Sequence, residues 1–226
     1  MTMAVEHRAL TDGLSYAARL RHGLALLLDG SATVRFESGS VLYREDEPGE
    51  AIYLLESGVV KQVRACRGGE CIVGLSNRGD FLGIRDVMLF ARYSSGAVAI
   101  GPVHARRIKR DEFSDFLQQN PSLRLTIFGM LSRSIEDVES KLVSISTKSA
   151  RRRVAWSLLK LHKALMSDGN TEPRLAMSDV SALSTCAEGT LVKLLRDFER
   201  RALIKRSDSG IEVLDESGLR RVSGEY

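Results

Sequence analysis

Residues 177–204 read MSDVSALSTCAEGTLVKLLRDFERRALI, and this stretch decides the fold of the C-terminal part. Val180 and Leu183 give an apolar face to a short segment, about Ser178 to Ser184. Thr185-Cys186-Ala187 forms a tight polar break. From about Glu188 to Arg201, Leu191, Leu194, Leu195 and Phe198 recur at spacings of three, one and three, the period of a helix with one buried face. Thr190, Lys193, Arg196, Asp197 and Arg200 occupy the other face. A short helix, a turn and a longer helix with a polar outer face is the helix-turn-helix plan. Its second helix can enter a major groove and present side chains to base edges, so double-stranded DNA is the implied partner. Any amphipathic helical hairpin gives a similar pattern, and the neighbouring residues carry the argument further. Ile204-Lys205-Arg206, Ser207–Gly210 and Ile211-Glu212-Val213 read as strand, turn, strand. That is a wing hairpin, with Lys205 and Arg206 available for phosphates. Arg151-Arg152-Arg153 precede the module, although a solvated helix start explains one or two of them.

Composition sets the frame. The 226 residues suffice for one large or two modest domains, and 43% hydrophobic with 27% charged residues is ordinary for a soluble globular chain. No apolar run approaches the ~18 residues of a membrane span. The N-terminal thirty residues lack the basic start, apolar run and cleavage site of a signal peptide. A cytoplasmic protein is expected. The Leu24–Leu28 patch reads as the end of an amphipathic helix closed by Gly30. The net charge of +4 is weak, but fourteen Lys and Arg stand against eleven Asp and Glu from Ser149 onward, where a DNA-binding end needs them. Histidines at 7, 22, 104 and 162 have no metal-ligand spacing.

Between about Thr33 and Arg110 short β-branched runs recur: Val41–Tyr43, Ala51–Leu55, Val59–Val63 and Cys71–Leu75. Glycine and charged turns separate them, which predicts a sandwich or barrel. Helix takes over from Arg110. Apolar residues at 127, 131, 135, 138, 142 and 145 step by four, four, three, four and three. This predicts a coiled-coil seam of about three heptads through Ile127, Leu131, Ile135, Val138, Leu142 and Ile145, the alternative being a helix lying on its own barrel. A further helix over Arg153–Met166 belongs to the C-terminal core. The expected division is 1–120, 121–148 and 149–226.

A glycine-punctuated roll, a seam helix and a winged helix-turn-helix together resemble the cyclic-AMP receptor/fumarate-nitrate regulator family of bacterial transcription factors. The resemblance runs from about Thr33 to Val213. It rests on Gly39, Gly58, Gly79-Asp80-Phe81-Leu82-Gly83, Asn120-Pro121, Arg153-Val154-Ala155 and Leu203-Ile204. It implies an α+β fold: an N-terminal β-roll of the cyclic-nucleotide-binding type, a dimerisation helix and a C-terminal winged helix-turn-helix. It also implies a homodimer on a roughly palindromic operator, with RNA polymerase as a further partner. Cyclic-nucleotide-binding members have a glutamate that accepts from the ribose and an arginine that pairs with the cyclic phosphate. Here the effector pocket reads Gly83-Ile84-Arg85 and Ser94-Ser95, with Val138 and Glu139 at the helix positions that would meet the base. An isoleucine cannot accept a hydroxyl proton, and a serine cannot replace a bidentate guanidinium. Cyclic AMP is therefore not the expected effector, and no cofactor is identified. The resemblance turns Glu188, Gly189 and Lys193 toward bases and Thr190 toward a phosphate, with Thr185, Arg196, Lys205 and Arg206 completing the DNA-binding set. Ala187 replaces the hydroxyl cap usual at such a turn, a loss of about 1 kcal/mol.

Cys66 and Cys71 bracket Arg67-Gly68-Gly69-Glu70. A two-residue turn at Gly68-Gly69 would set the cysteines opposite each other, about 4.5 Å apart at Cα. That geometry allows a redox pair; the alternative is two unreactive thiols. Cys186 reads as packing, and His104 is the histidine expected to be buried. No nucleophile–base pair or carboxylate pair is spaced for chemistry, so an enzyme is not expected. Two rivals stay open: a haem-, gas- or redox-sensing regulator of the same family, and a cyclic-nucleotide-binding module acting on a partner protein.

Overall fold

The computed structural model describes residues 20, 22–66, 69–169 and 173–224. They fall into two compact units, 1–60 with 76–140 and 61–75 with 141–226. The elements are α1 (Ala25–Asp29), β1 (Ala32–Phe36), β2 (Val41–Tyr43), β3 (Ala51–Ser57), β4 (Val60–Cys66), β5 (Gly69–Ser76), β6 (Phe81–Leu82), α2 (Ile84–Met88), β7 (Gly96–Ala99), β8 (Val103–Lys109), α3 (Arg110–Gln119), α4 (Pro121–Thr147), α5 (Ala150–Ser167), α6 (Met177–Ser184), α7 (Glu188–Arg200), β9 (Ile204–Ser207), β10 (Gly210–Val213) and α8 (Glu216–Ser223).

The strands form two four-stranded sheets, ordered β1-β8-β3-β6 and β2-β7-β4-β5. In the first, β3 pairs antiparallel with both β8 and β6. Successive side chains of a strand point to opposite faces, and β3 is apolar on both. Ile52 and Leu54 pack with Leu20, Leu24, Leu28, Phe113 and Ile127. Ala51, Tyr53 and Leu55 pack with Tyr43, Tyr93, Val103 and Ala105. One face is thus covered by helices and the other is the inside of the roll. Gly58 turns the chain after β3 at φ +91°, where an added Cβ would lie 2.4 Å from the Pro102 carbonyl oxygen; only glycine fits. On β8, Val103 and Ala105 point inward, so His104 between them is exposed. The expected burial of His104 is corrected by this alternation.

Asn120 ends α3, its amide donating to the Phe116 carbonyl at 2.9 Å, and Pro121 opens α4, a position where a missing N–H costs nothing. Two apolar stripes run along α4. Leu123 and Ile127 are buried in the core under the helices, with Met130 and Leu131 against it. Leu125, Phe128, Ile135, Val138, Leu142 and Val143 are exposed. Ile127, read as a seam residue, is only 1% exposed within its own chain and has no face left for a partner. Four-residue steps drift around the helix, because seven residues fall short of two full turns. Phe128 takes its place on the outer stripe.

In the second unit α5 is capped by the Ser149 hydroxyl and buries Val154, Ala155, Leu158, Leu161 and Leu165. α8 and α6 pack on it. β9 and β10 pair across a two-residue turn, Ser207 opposite Gly210. Leu175 and Ile211 exchange backbone hydrogen bonds of 2.9 Å in both directions, fastening the hairpin to the segment before α6.

Candidate nucleic-acid interface

The turn between α6 and α7 is fixed by its backbone. Thr185 caps α6 in the left-handed region, φ 50° and ψ 42°, which reverses the chain in three residues. The Ser181 hydroxyl donates to the Cys186 carbonyl at 3.1 Å. Cys186 is buried beneath the turn, and burial pushes its thiol pKa up, as suits a packing residue. Ala187 stands at the N-cap of α7 with no side-chain cap bond.

On α7, Leu191, Leu195 and Phe198 are fully buried. Glu188, Gly189, Thr190, Lys193, Arg196 and Arg200 are exposed along the opposite side, and so are Thr185 and Lys205. The residues expected to read DNA are thus solvent-exposed, with Arg206 the exception. Arg206 is not a loose wing cation. Its Nε and Nη2 donate to Glu199 Oε2 at 2.9 and 2.6 Å, and its backbone N–H donates to Glu199 Oε1 at 3.0 Å. Two charge-assisted bonds from one guanidinium to a single carboxylate oxygen fix it and partly neutralise it. Arg206 therefore positions the wing against α7 more than it offers a free charge. Lys193, Arg196, Glu199, Arg200 and Arg206 line a groove between helix and wing, with four cations to one carboxylate.

Behind this surface Asp197 gathers Arg151 at 2.7 Å, Arg201 at 3.2 Å and Arg200 at 3.3 Å. The Arg151 guanidinium also lies 5.3 Å over the Phe198 ring. Arg153 donates to the carbonyls of Ser184 and Lys148, each at 3.0 Å. Two of the three clustered arginines are thus internal braces.

Asp197, Glu199, Asp215 and Glu216 share a direction. The hydrogen bond from Arg151 holds Asp197 below the usual range, and that from Arg206 does the same for Glu199. Hydrogen bonds from the Ser217 hydroxyl and then the Gly218 amide lower Asp215, and Arg220 lowers Glu216. A carboxylate with a depressed folded pKa contributes stability above its unfolded pKa and loses it as pH falls through the folded one. The melting temperature of this unit is therefore expected to hold from pH 7 to about 5 and fall steadily below about pH 4. Asp197→Asn should flatten that fall, as calorimetry across the range will record; an unchanged acid limb would show that the Asp197 cluster adds nothing.

The roll pocket is organised differently from expectation. Ile84 is buried among the helix-covered core. Gly83 is left-handed at φ +80°. Arg85 and Ser94 are brought together by Asp86, which no motif in the sequence marks. Its carboxylate accepts from Arg85 Nε at 3.1 Å and from the Ser94 N–H and hydroxyl at 3.2 Å each, and it is buried. Ser95 is buried nearby in sequence, while Val138 and Glu139 are exposed on α4. Aromatic rings cluster in the roll core. Tyr43 stacks on Tyr93 at 3.9 Å and on Tyr53 at 5.8 Å, and Phe36 meets Tyr53 edge-on at 6.3 Å. The Tyr93 hydroxyl donates to the Ala51 carbonyl at 2.6 Å and accepts from its N–H at 3.1 Å. Burial pushes the Tyr93 pKa up to about 12, so the phenol is neutral.

Cys66 and Cys71 are joined in a disulfide with their Cα atoms 6.0 Å apart. This spacing is wider than the about 4.5 Å expected of a directly opposed pair, and Gly69 lies inside β5. Among the described residues no group of three or more His, Cys, Asp and Glu could hold a metal, and no helix is long and apolar enough to cross a membrane.

Comparison with known proteins agrees with this architecture. Residues 33–120 match the cyclic nucleotide-binding domain family. The chain is 28% identical to the transcriptional regulatory protein btr of Bordetella pertussis over 85% of its length and 81% of that protein's. It is 23% identical to the cyclic AMP receptor protein of Thermus thermophilus over 90% and 96%. Among solved structures, FixK2 from Bradyrhizobium japonicum superposes with a TM-score of 0.70 at 20% identity, covering 85% of this chain and 96% of that one. A CRP/FNR-family transcriptional regulator from Thermus thermophilus gives 0.72 at 20% identity, covering 86% and 99%. Residues 33–120 thus carry a domain of the cyclic nucleotide-binding family, and over most of its length the chain is similar to transcription regulators of the cyclic-AMP receptor/fumarate-nitrate regulator family, which are not enzymes.

Proposed function

We propose that this chain is a homodimeric, sequence-specific DNA-binding regulator whose roll does not take cyclic AMP. The observation that carries the reading is the polar face of α7, where Glu188, Gly189, Thr190, Lys193 and Arg196 are exposed above the buried Leu191, Leu195 and Phe198. Such a face presents a carboxylate able to accept from a cytosine amino group and cations for guanine edges or phosphates. A dimer through α4 supplies two such faces and favours a roughly palindromic site. RNA polymerase is the further partner such a regulator addresses. Selection from random duplexes, followed by footprinting, tests the reading; recovery of no enriched sequence would sink it.

Gly189 supports the same reading. An added Cβ there meets no protein atom within 4 Å, so the fold does not require glycine. Glycine in a helix interior costs about 0.8–1 kcal/mol against alanine, and close approach of a ligand to the backbone is the usual reason to retain it. Gly189→Ala is expected to stabilise the protein by up to about that amount, less at so early a helix position, while weakening binding to the selected duplex about tenfold. Equal or tighter DNA binding by the variant would show that the helix does not approach DNA at this point.

In the roll, the groups a nucleotide phosphate would use are already engaged. The Ser94 N–H and hydroxyl, which a phosphate would need, are already satisfied by Asp86, and stacked tyrosines occupy the roll core. Isothermal titration with cyclic AMP is expected to give no heat at physiological concentrations. A micromolar affinity would refute it.

A further inference from the structure

The β4–β5 hairpin carries two features that DNA reading does not use. Cys66 is exposed and Cys71 half-buried, so their disulfide is open to reagents in solution. Five residues before Cys66 on the same strand, Lys61 Nζ donates to Asp179 Oδ1 at 2.5 Å, and the two side chains are only 19% and 9% exposed. Asp179 lies in the first turn of α6, the first helix of the helix-turn-helix, and residues 61–75 form one compact unit with 141–226. A pair this shielded is weakly screened by salt. Separating it strands a buried carboxylate without its counter-charge.

We propose that this hairpin is a redox-set strap on the DNA-binding module, an inference that rests on the DNA-binding reading above. In the disulfide form the closed tip holds β4 and β5 in one register, and Lys61 stays seated on Asp179. A dithiol reductant opens it. One reductant thiolate attacks a cysteine sulfur and forms a mixed disulfide, and its second thiol displaces the protein sulfur. Cys66 and Cys71 leave as two thiols while the reductant becomes a disulfide, two electrons and two protons having passed. A peroxide reverses the change. One cysteine thiolate takes an oxygen to become a sulfenic acid, releasing water or an alcohol, and the other cysteine closes the disulfide with loss of water. Without the cross-link the strand ends separate and Lys61 leaves α6. Because α6 carries the turn that aims α7, the oxidised form has the better-ordered reading head. It loses less freedom on binding and binds DNA more tightly.

The test compares the full-length protein in its disulfide form, after dithiothreitol, as Cys66→Ser, and as oxidised Lys61→Met. Buried Cys186 should stay unalkylated throughout and report that the fold is intact. Hydrogen exchange followed by mass spectrometry is expected to be about tenfold faster across α6 in the reduced and Cys66→Ser forms. It should be equally fast in Lys61→Met although the disulfide is closed. Affinity for the tightest duplex from random selection should fall about fivefold in the same three forms. Equal α6 exchange in the two redox states overturns the strap, and unchanged exchange in Lys61→Met overturns the ion pair's part in it. Different exchange with equal affinity overturns the link to DNA. If no form binds DNA, the functional reading and the affinity half of the proposal both fall, and the exchange measurement still decides the strap itself.

Discussion

Val138→Glu will convert the dimer to a monomer and lower affinity for a two-half-site duplex by about a hundredfold. Val138 is 65% exposed on α4, in a stripe with Phe128, Ile135 and Leu142 that is left exposed among the described residues. In the proposed dimer the two copies of this position would face each other, so the variant would bring two carboxylates together in an apolar seam. Like charges buried without partners are strongly destabilising to an interface. The loss on DNA is larger than any single contact because two tethered reading heads bind with the advantage of effective concentration. Sedimentation and gel-shift titration measure the two effects. A variant that stays dimeric shows that α4 is not the seam. Ile127→Ala makes the contrast: Ile127 is buried in its own roll core, so that change should lower stability by about 2–5 kcal/mol and leave the dimer assembled.

Phe198→Ala should cost about 3–5 kcal/mol, a large share of the 5–15 kcal/mol that holds a typical domain together. The ring is completely buried among the helices of the second unit, and the Arg151 guanidinium that lies over it also pairs with Asp197. Removing the ring leaves a cavity under α7 and takes away the surface against which Arg151 is held. The expected readout is a lower melting temperature together with loss of DNA binding near it, while Phe198→Leu, which refills most of the space, recovers much of both. A Phe198→Ala protein that melts like the parent would mean that the packing of α7 on α5 is not what fixes the reading head.

Much of this was legible in the sequence, and the parts that were not share a cause. The helix-turn-helix and the wing are written in short-range periodicity, because each is closed by residues a few positions apart; the roll shows only as short strand runs, since its pairings join distant residues such as Ala32 and Arg107. Ile127 was misassigned because a helix with two apolar stripes gives one list of apolar positions, and spacing alone does not say which stripe meets the roll. The Glu199–Arg206 bridge spans a helix end and a strand, and no pattern in the chain announces a salt bridge seven residues apart across a turn. Asp86 went unread because its meaning comes from Ser94, eight residues on. The tyrosines at 43, 53 and 93 are far apart in sequence and meet only when the roll closes. Their separate positions look like ordinary strand aromatics.

The single strand β3 works as a party wall. Tyr53 belongs to the aromatic interior on one side, and Ile52 and Leu54, its immediate neighbours, belong to the helix-covered core on the other. A strand cannot move one row of side chains and leave the next behind. Anything that displaced the tyrosines would therefore be felt at once by Ile52, Leu54 and the first turns of α4 that lean on the same core, so a push on the inside of the roll reaches the long helix with no loop to transmit it.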